Sequence, residues 1–136
     1  MYLLGFPLLL IPFAIYNILA FILGMSFTEI VFSFRTLSGA ELGLSAGDLL
    51  VMLSVLLLYV EIVKATRMGS RAIMDHILSL LLFMGMAGEF IIVQQAGTAT
   101  FLIMVLISFV DVIAGFSITI RTAQRDLSVE GVERAG

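Results

Sequence analysis

Three acids, Glu61, Glu89 and Asp111, stand inside long apolar stretches of this chain, and Lys64 and Asn17 stand in similar surroundings. Ionisable side chains are costly within a bilayer, face the interior of a helix bundle and often mark a functional site. Lys64 follows Glu61 by three residues, so the two share a helix face. They read either as an ion pair lining an aqueous vestibule or as a lysine snorkelling to the headgroups with Glu61 beside it. Asp111 belongs to a stripe at helical spacing: Thr100, Met104, Ser108, Asp111, Gly115, Thr119 and Thr122. Small and hydroxyl residues at that spacing let helices approach closely and hydrogen-bond in lipid, so this stripe is expected to face protein. Asp111 is then either a proton or cation site or a carboxyl bonded to a neighbouring helix. Glu89 shares a face with Leu78, Leu82, Gly85 and Ile92, and Gly85 and Gly88 are expected to leave room for a neighbouring backbone.

These residues need elements of about 20 mostly apolar residues to carry them across a membrane. Four segments qualify, over about 2–24, 48–66, 72–95 and 98–121. At 1.5 Å of rise per residue, Asp111 lies about 3 Å from the midplane on the cytoplasmic side and Glu61 about 5 Å on that side. Glu89 lies about 7 Å towards the other side, close to the level of Asn17. Two pairings are expected: Glu61 with Asp111, and Glu89 with Asn17. Pro7 and Pro12 are expected to bend the first helix by removing backbone donors. That helix reads as retained rather than as a signal peptide, because no Lys or Arg precedes it and its apolar run is too long for an h-region.

The bases set the orientation. Lys64, Arg67, Arg71, Arg121, Arg125 and Arg134 fall on the side shared by the termini and the second connection, against Arg35 alone on the other. Short loops rich in Lys and Arg stay cytoplasmic, so both termini are expected there, in a bacterial-type inner membrane. The first connection, FTEIVFSFRTLSGAELGLSAGD, alternates like a strand on both sides of Ser38-Gly39-Ala40. A three-residue turn there pairs Leu37 with Glu41, Thr36 with Leu42, Phe34 with Leu44 and Phe32 with Ala46, placing apolar residues on one face. A hairpin at about 28–46 is therefore expected to lie apolar side down on the bundle mouth or the lipid interface. The tail 122–136 alternates in charge and is expected to continue the fourth helix for a turn or two before fraying.

The expected fold is thus an all-α integral membrane protein: a four-helix transmembrane bundle forming one domain over 1–136, with a small extracytoplasmic β-hairpin. Composition agrees. The 136 residues are 61% hydrophobic and 12% charged, about half the charge of an ordinary soluble domain. Mean hydropathy is +1.18. A net charge of −3 leaves no footprint for nucleic acid, and the absence of cysteine removes disulfides, thiolate chemistry and cysteine-ligated clusters. The single histidine, His76, reads as interfacial, no metal or haem spacing accompanies it, and no cofactor is expected. No phosphate-binding loop or nucleophilic triad is present. The expected function is a small non-catalytic membrane subunit for accessory, assembly or scaffold work, a homo-oligomer or part of a larger complex. The alternative is a small proton- or cation-coupled transporter or channel using Asp111 and Glu89, with Glu61 and Lys64 near the cytoplasmic mouth. Asn17, Ser108 and Gly115 complete the candidate proton, ion or helix-packing positions.

Overall fold

A computed structural model of the chain describes residues 6–67 and 70–135. The expected helical start at Tyr2, part of the second connection, and the side chains of Arg71 and Thr122 lie outside the described residues. The architecture is mostly helical: α1 (Leu10–Asn17), a two-stranded sheet of β1 (Ile30–Arg35) and β2 (Glu41–Ser45), then α2 (Ala46–Ala65), α3 (Ser70–Ile92) and α4 (Ala99–Ala135). Among the described residues three helices are long and apolar enough to cross a membrane, over Ala46–Ala65, Ile73–Ile92 and Ala99–Gly131.

The first element differs from its expectation. Its apolar helix runs only over Leu10–Ile22, about 20 Å at α-helical rise, short of a ~30 Å hydrocarbon core. Proline is the reason. A helix tolerates proline in its first turn, where the missing N–H has no partner to lose. Starting at Leu10 puts Pro12 there, and Leu10 N and Ile11 N donate to the Pro7 and Leu8 carbonyls at 3.0 Å. Phe6–Leu9 therefore form a non-helical lead-in. At the other end the Asn17 amide donates to the Phe13 carbonyl at 2.9 Å, and the ladder beyond widens to π spacing over Ile18–Ile22. Gly24, at φ +61°, ends the run. The segment still travels the length of α2, from Phe6 beside Lys64 to Phe27 beside Gly47, a span of about 26 Å along that helix.

The hairpin forms with a three-residue turn, but its register is shifted by two from the expected one. Phe34 pairs with Leu42, Phe32 with Leu44 and Arg35 with Glu41. The turn is Leu37-Ser38-Gly39, closed by Thr36 N on the Ala40 carbonyl at 2.8 Å. The third position of such a turn takes the left-handed conformation, which suits Gly39 at φ +90° and would strain Ala40. A shift of two keeps side-chain parity, so Phe32, Phe34, Leu42 and Leu44 still share a face. A bulge between Ile30 and Phe32 turns Ile30 across the other face, onto Gly43.

β2 passes into α2 without a linker. Ser45 Oγ accepts from Asp48 N at 3.1 Å while Asp48 Oδ2 accepts from Ser45 N at 2.9 Å, a reciprocal cap. The core at this end is aromatic. Tyr16 stacks on Phe27 with ring centroids 4.3 Å apart and tilts against Phe101 at 4.7 Å, above buried Leu50, Met86 and Met104. The second, third and fourth helices lie within a few residues of their expected limits, except that α4 runs on through the tail to Ala135 instead of fraying.

Gly47 is where the hairpin base, α2 and α4 meet. Its N–H donates to the Phe27 carbonyl at 3.1 Å, and an added Cβ would lie 2.8 Å from that oxygen and collide with the Thr100 hydroxyl. Gly47→Ala is expected to lower stability by about 1–3 kcal/mol in denaturant-unfolding curves of the detergent-solubilised protein. Gly85→Ala, whose Cβ would meet no atom within 4 Å, leaves stability unchanged or raises it by up to about 1 kcal/mol.

Candidate functional site

The lead-in poses a hydrogen-bonding problem. Its backbone has left the helical ladder, and Pro7 and Leu8 are buried, so the free main-chain groups need partners from elsewhere. α2 supplies them. Leu8 N donates to Glu61 Oε1 at 2.7 Å, and Lys64 Nζ donates to the Phe6 carbonyl at 2.7 Å. Glu61 and Lys64 are themselves joined at 3.1 Å, one turn apart and almost wholly buried. The carboxylate lies at the amino end of α1, where the helix dipole favours negative charge.

α3 and α4 close the site. Asp75, on the first turns of α3, reaches Lys64 at 3.5 Å and is buried. Asp111 is also buried; its side chain bonds to the Ser79 hydroxyl, and the charges of Glu61, Asp75 and Lys64 act on it. The structure thus brings Glu61 and Asp111 into one cluster and adds Asp75, Ser79 and His76. The histidine is buried among the helices. Its ring lies on the Gly115 backbone, where an added Cβ would come within 3.0 Å of Cε1 and Nδ1, and Nε2 pairs with the Thr119 hydroxyl. On α4, Met104, Ser108, Asp111 and Gly115 are all buried along one face. Ser108 Oγ has no hydrogen-bond partner among the described residues.

Asp75 and His76 carried a signal in the sequence that went unused. Counted from Ser79, Asp75 is one turn earlier on the same face, and His76 adjoins it, so both follow the α3 stripe into the interior. From its position near a connection His76 reads as interfacial.

Glu89 stands apart, towards the hairpin end, with the Asn17 side chain against its carboxyl and Tyr16 nearby. Tyr16 donates to the Gln95 carbonyl at 3.0 Å and shares a hydrogen bond with Thr98 at 2.8 Å, tying α1 to the α3–α4 connection. Glu89 Oε2 is buried without a partner among the described residues. The room expected beside Gly85 and Gly88 is not filled by this chain: nothing lies within 4 Å of an added Cβ at either. The groove between the hairpin and the starts of α2 and α4, about 770 Å³, is also unfilled; Ile30, Leu42, Leu44, Val51, Met52 and Ile103 line it.

No protein-family model matches the chain, and neither a curated protein nor a solved structure does. Among the described residues no group of three or more His, Cys, Asp or Glu side chains is arranged to hold a metal ion. The side chains gathered here hydrogen-bond to one another and to main chain and offset charge.

Breaking one side of this network leaves the other side buried and unpaired, which costs about 3–5 kcal/mol for a charge. Lys64→Met and Glu61→Gln are each expected to destabilise the detergent-solubilised protein by amounts approaching that range. The double variant should lose less than the sum, because neither charge is then left alone. Additive losses in the double-mutant cycle would show that the pair acts independently.

Proposed function

We propose that the chain is a small non-catalytic subunit of a bacterial-type inner membrane, working as an oligomeric accessory, assembly or scaffold protein. In this reading the first segment completes a four-helix transmembrane bundle, both termini are cytoplasmic, and the hairpin lies outside the membrane on the far side. One observation carries the proposal. The hairpin's apolar face is left open, with Phe32 at 56%, Phe34 at 43% and Leu42 at 42% exposure, although the strand joins a membrane-length helix directly. An isolated two-stranded ribbon is marginal in water. An aromatic face that its own helices do not cover fits a second copy or a partner subunit. The open notch at Gly85 and Gly88 agrees, since small residues let another helix approach closely. The ion network agrees as well, because Glu61 and Lys64 are occupied in holding the backbone.

A second reading, a proton- or cation-coupled transporter or channel, draws support from the surplus of carboxylates around Lys64 and from Glu89. It would use these groups for translocation rather than for assembly.

Native mass spectrometry and size measurement in mild detergent test the first reading. The wild-type protein is expected as an oligomer or with a stoichiometric partner. The Phe32→Ser, Phe34→Ser double variant should weaken that association about tenfold or more, as truncation of central aromatic anchors does. A strictly monomeric wild-type protein that co-purifies with nothing sinks the proposal.

A further inference from the structure

The ammonium group of Lys64 has three N–H donors, and all three are spent. They go to the Phe6 carbonyl at 2.7 Å, Glu61 Oε1 at 3.1 Å and Asp75 Oδ1 at 3.5 Å. Asp111, at 6% exposure, receives none of them. The Ser79 hydroxyl bonds its carboxyl, and the charges of Glu61 and Asp75 act against it while that of Lys64, shared with both, acts for it. One turn earlier on the same buried face of α4, the Ser108 hydroxyl is 1% exposed and without a partner among the described residues. A buried carboxylate that shares one lysine with two other acids and takes none of its hydrogen bonds needs a further cation or the loss of its charge. A proton does this without the ligand shell that a metal requires.

His76 packs against α4 one turn beyond that carboxyl. Its ring rests on Gly115, one turn beyond Asp111, and its Nε2 meets Thr119 one turn further towards the Lys64 end. An imidazole gains and loses a proton within the physiological range, so it can pass one inward. We propose that Asp111 is an exchangeable proton-binding site, loaded past His76, with Ser79 and Ser108 as the surrounding hydroxyls. In the loading step an imidazolium N–H bond breaks, an O–H bond forms on the Asp111 carboxylate, and neutral imidazole remains. The charged and titratable groups facing the site are Glu61 and Lys64 from α2, Asp75 and His76 from α3, and only main-chain groups from the lead-in; the Arg71 side chain lies outside the described residues. The inference stands independently of the assembly reading, since an accessory subunit and a transporter can both hold a proton.

Infrared spectroscopy of the full chain in liposomes tests it, scanned from about pH 5 to about pH 9, the range in which buried carboxyls titrate. A carboxylic-acid C=O band is expected that shifts when aspartate is carbon-13 labelled, disappears in Asp111→Asn and persists in Glu89→Gln. His76→Phe should slow its hydrogen–deuterium exchange by about tenfold or more while leaving the band in place. Ser79→Ala should shift its frequency towards that of a less hydrogen-bonded acid. The labelling arm uses the wild-type protein, and the same labelled band must persist in Asp75→Asn, which separates Asp111 from the other buried aspartate if Asp111→Asn fails to fold. The proposal is overturned by a band that aspartate labelling leaves unmoved, by one that survives Asp111→Asn, or by a spectrum that responds to sodium or potassium at constant pH. Exchange unchanged in His76→Phe would overturn the route.

Discussion

The structure turns on one requirement: main chain that leaves a helix in apolar surroundings must find hydrogen-bond partners. Pro12 moves the start of α1 to Leu10, and Pro7 lies in a lead-in with no helical ladder. Glu61 and Lys64 answer for Leu8 N and the Phe6 carbonyl. Once the pair is committed there, its position dictates much else. Lys64 needs a further acceptor for its last N–H, which draws Asp75 and the start of α3 inward. Asp75 and Glu61 then raise the negative charge about Asp111, so α4 meets the cluster with hydroxyl and small residues in place of bulky apolar ones. The three long helices are thus locked at the Lys64 end by charge and hydrogen bonding.

The hairpin end is locked by shape. Tyr16, Phe27 and Phe101 fill the space between α1, the hairpin base and α4. The Tyr16 hydroxyl reaches main chain at the α3–α4 connection, and Gly47 allows backbone contact where a side chain would not fit. These two locks are complementary. The aromatic contacts are short-range and insensitive to charge, whereas the cluster depends on the protonation and pairing of each member. A change in charge state at the Lys64 end therefore acts on the lead-in and the helix ends nearby, while the Tyr16 anchor holds the other end of α1 in place.

What the sequence made legible follows from how local the cause was. The three long helices rest on runs of apolar residues that exceed anything a soluble core requires, and those runs appear directly in the letters. Hairpin parity was legible because Phe32, Phe34, Leu42 and Leu44 alternate with polar residues. The exact register was not, because it depends on which turn position Gly39 takes. The short first helix was hidden by apolar residues that score alike in a helix and in a lead-in; Pro12 was the clue, read as a bend when it marks a start. The burial of Asp75 and His76 was signalled by their place on the Ser79 face of α3, but the contact between Asp75 and Lys64 is a fact of tertiary packing.

The formal charge shows the same division. The net −3 of the chain corresponds, by sequence position, to Glu61, Glu89 and Asp111 within the apolar stretches. The structure moves both Asp75 and Lys64 into the helical body, so four acids and one base are now inside and the interior sum is unchanged. The distribution is what differs. Lys64 engages Glu61 and Asp75 together, Asn17 attends Glu89, and Asp111 has the Ser79 hydroxyl and no ion pair among the described residues. A lysine bonded to Asp111 would have made the acid a plain structural pair and left the lead-in without its partner. Placing the lysine on the main chain instead fixes the backbone and leaves Asp111 outside its hydrogen bonds.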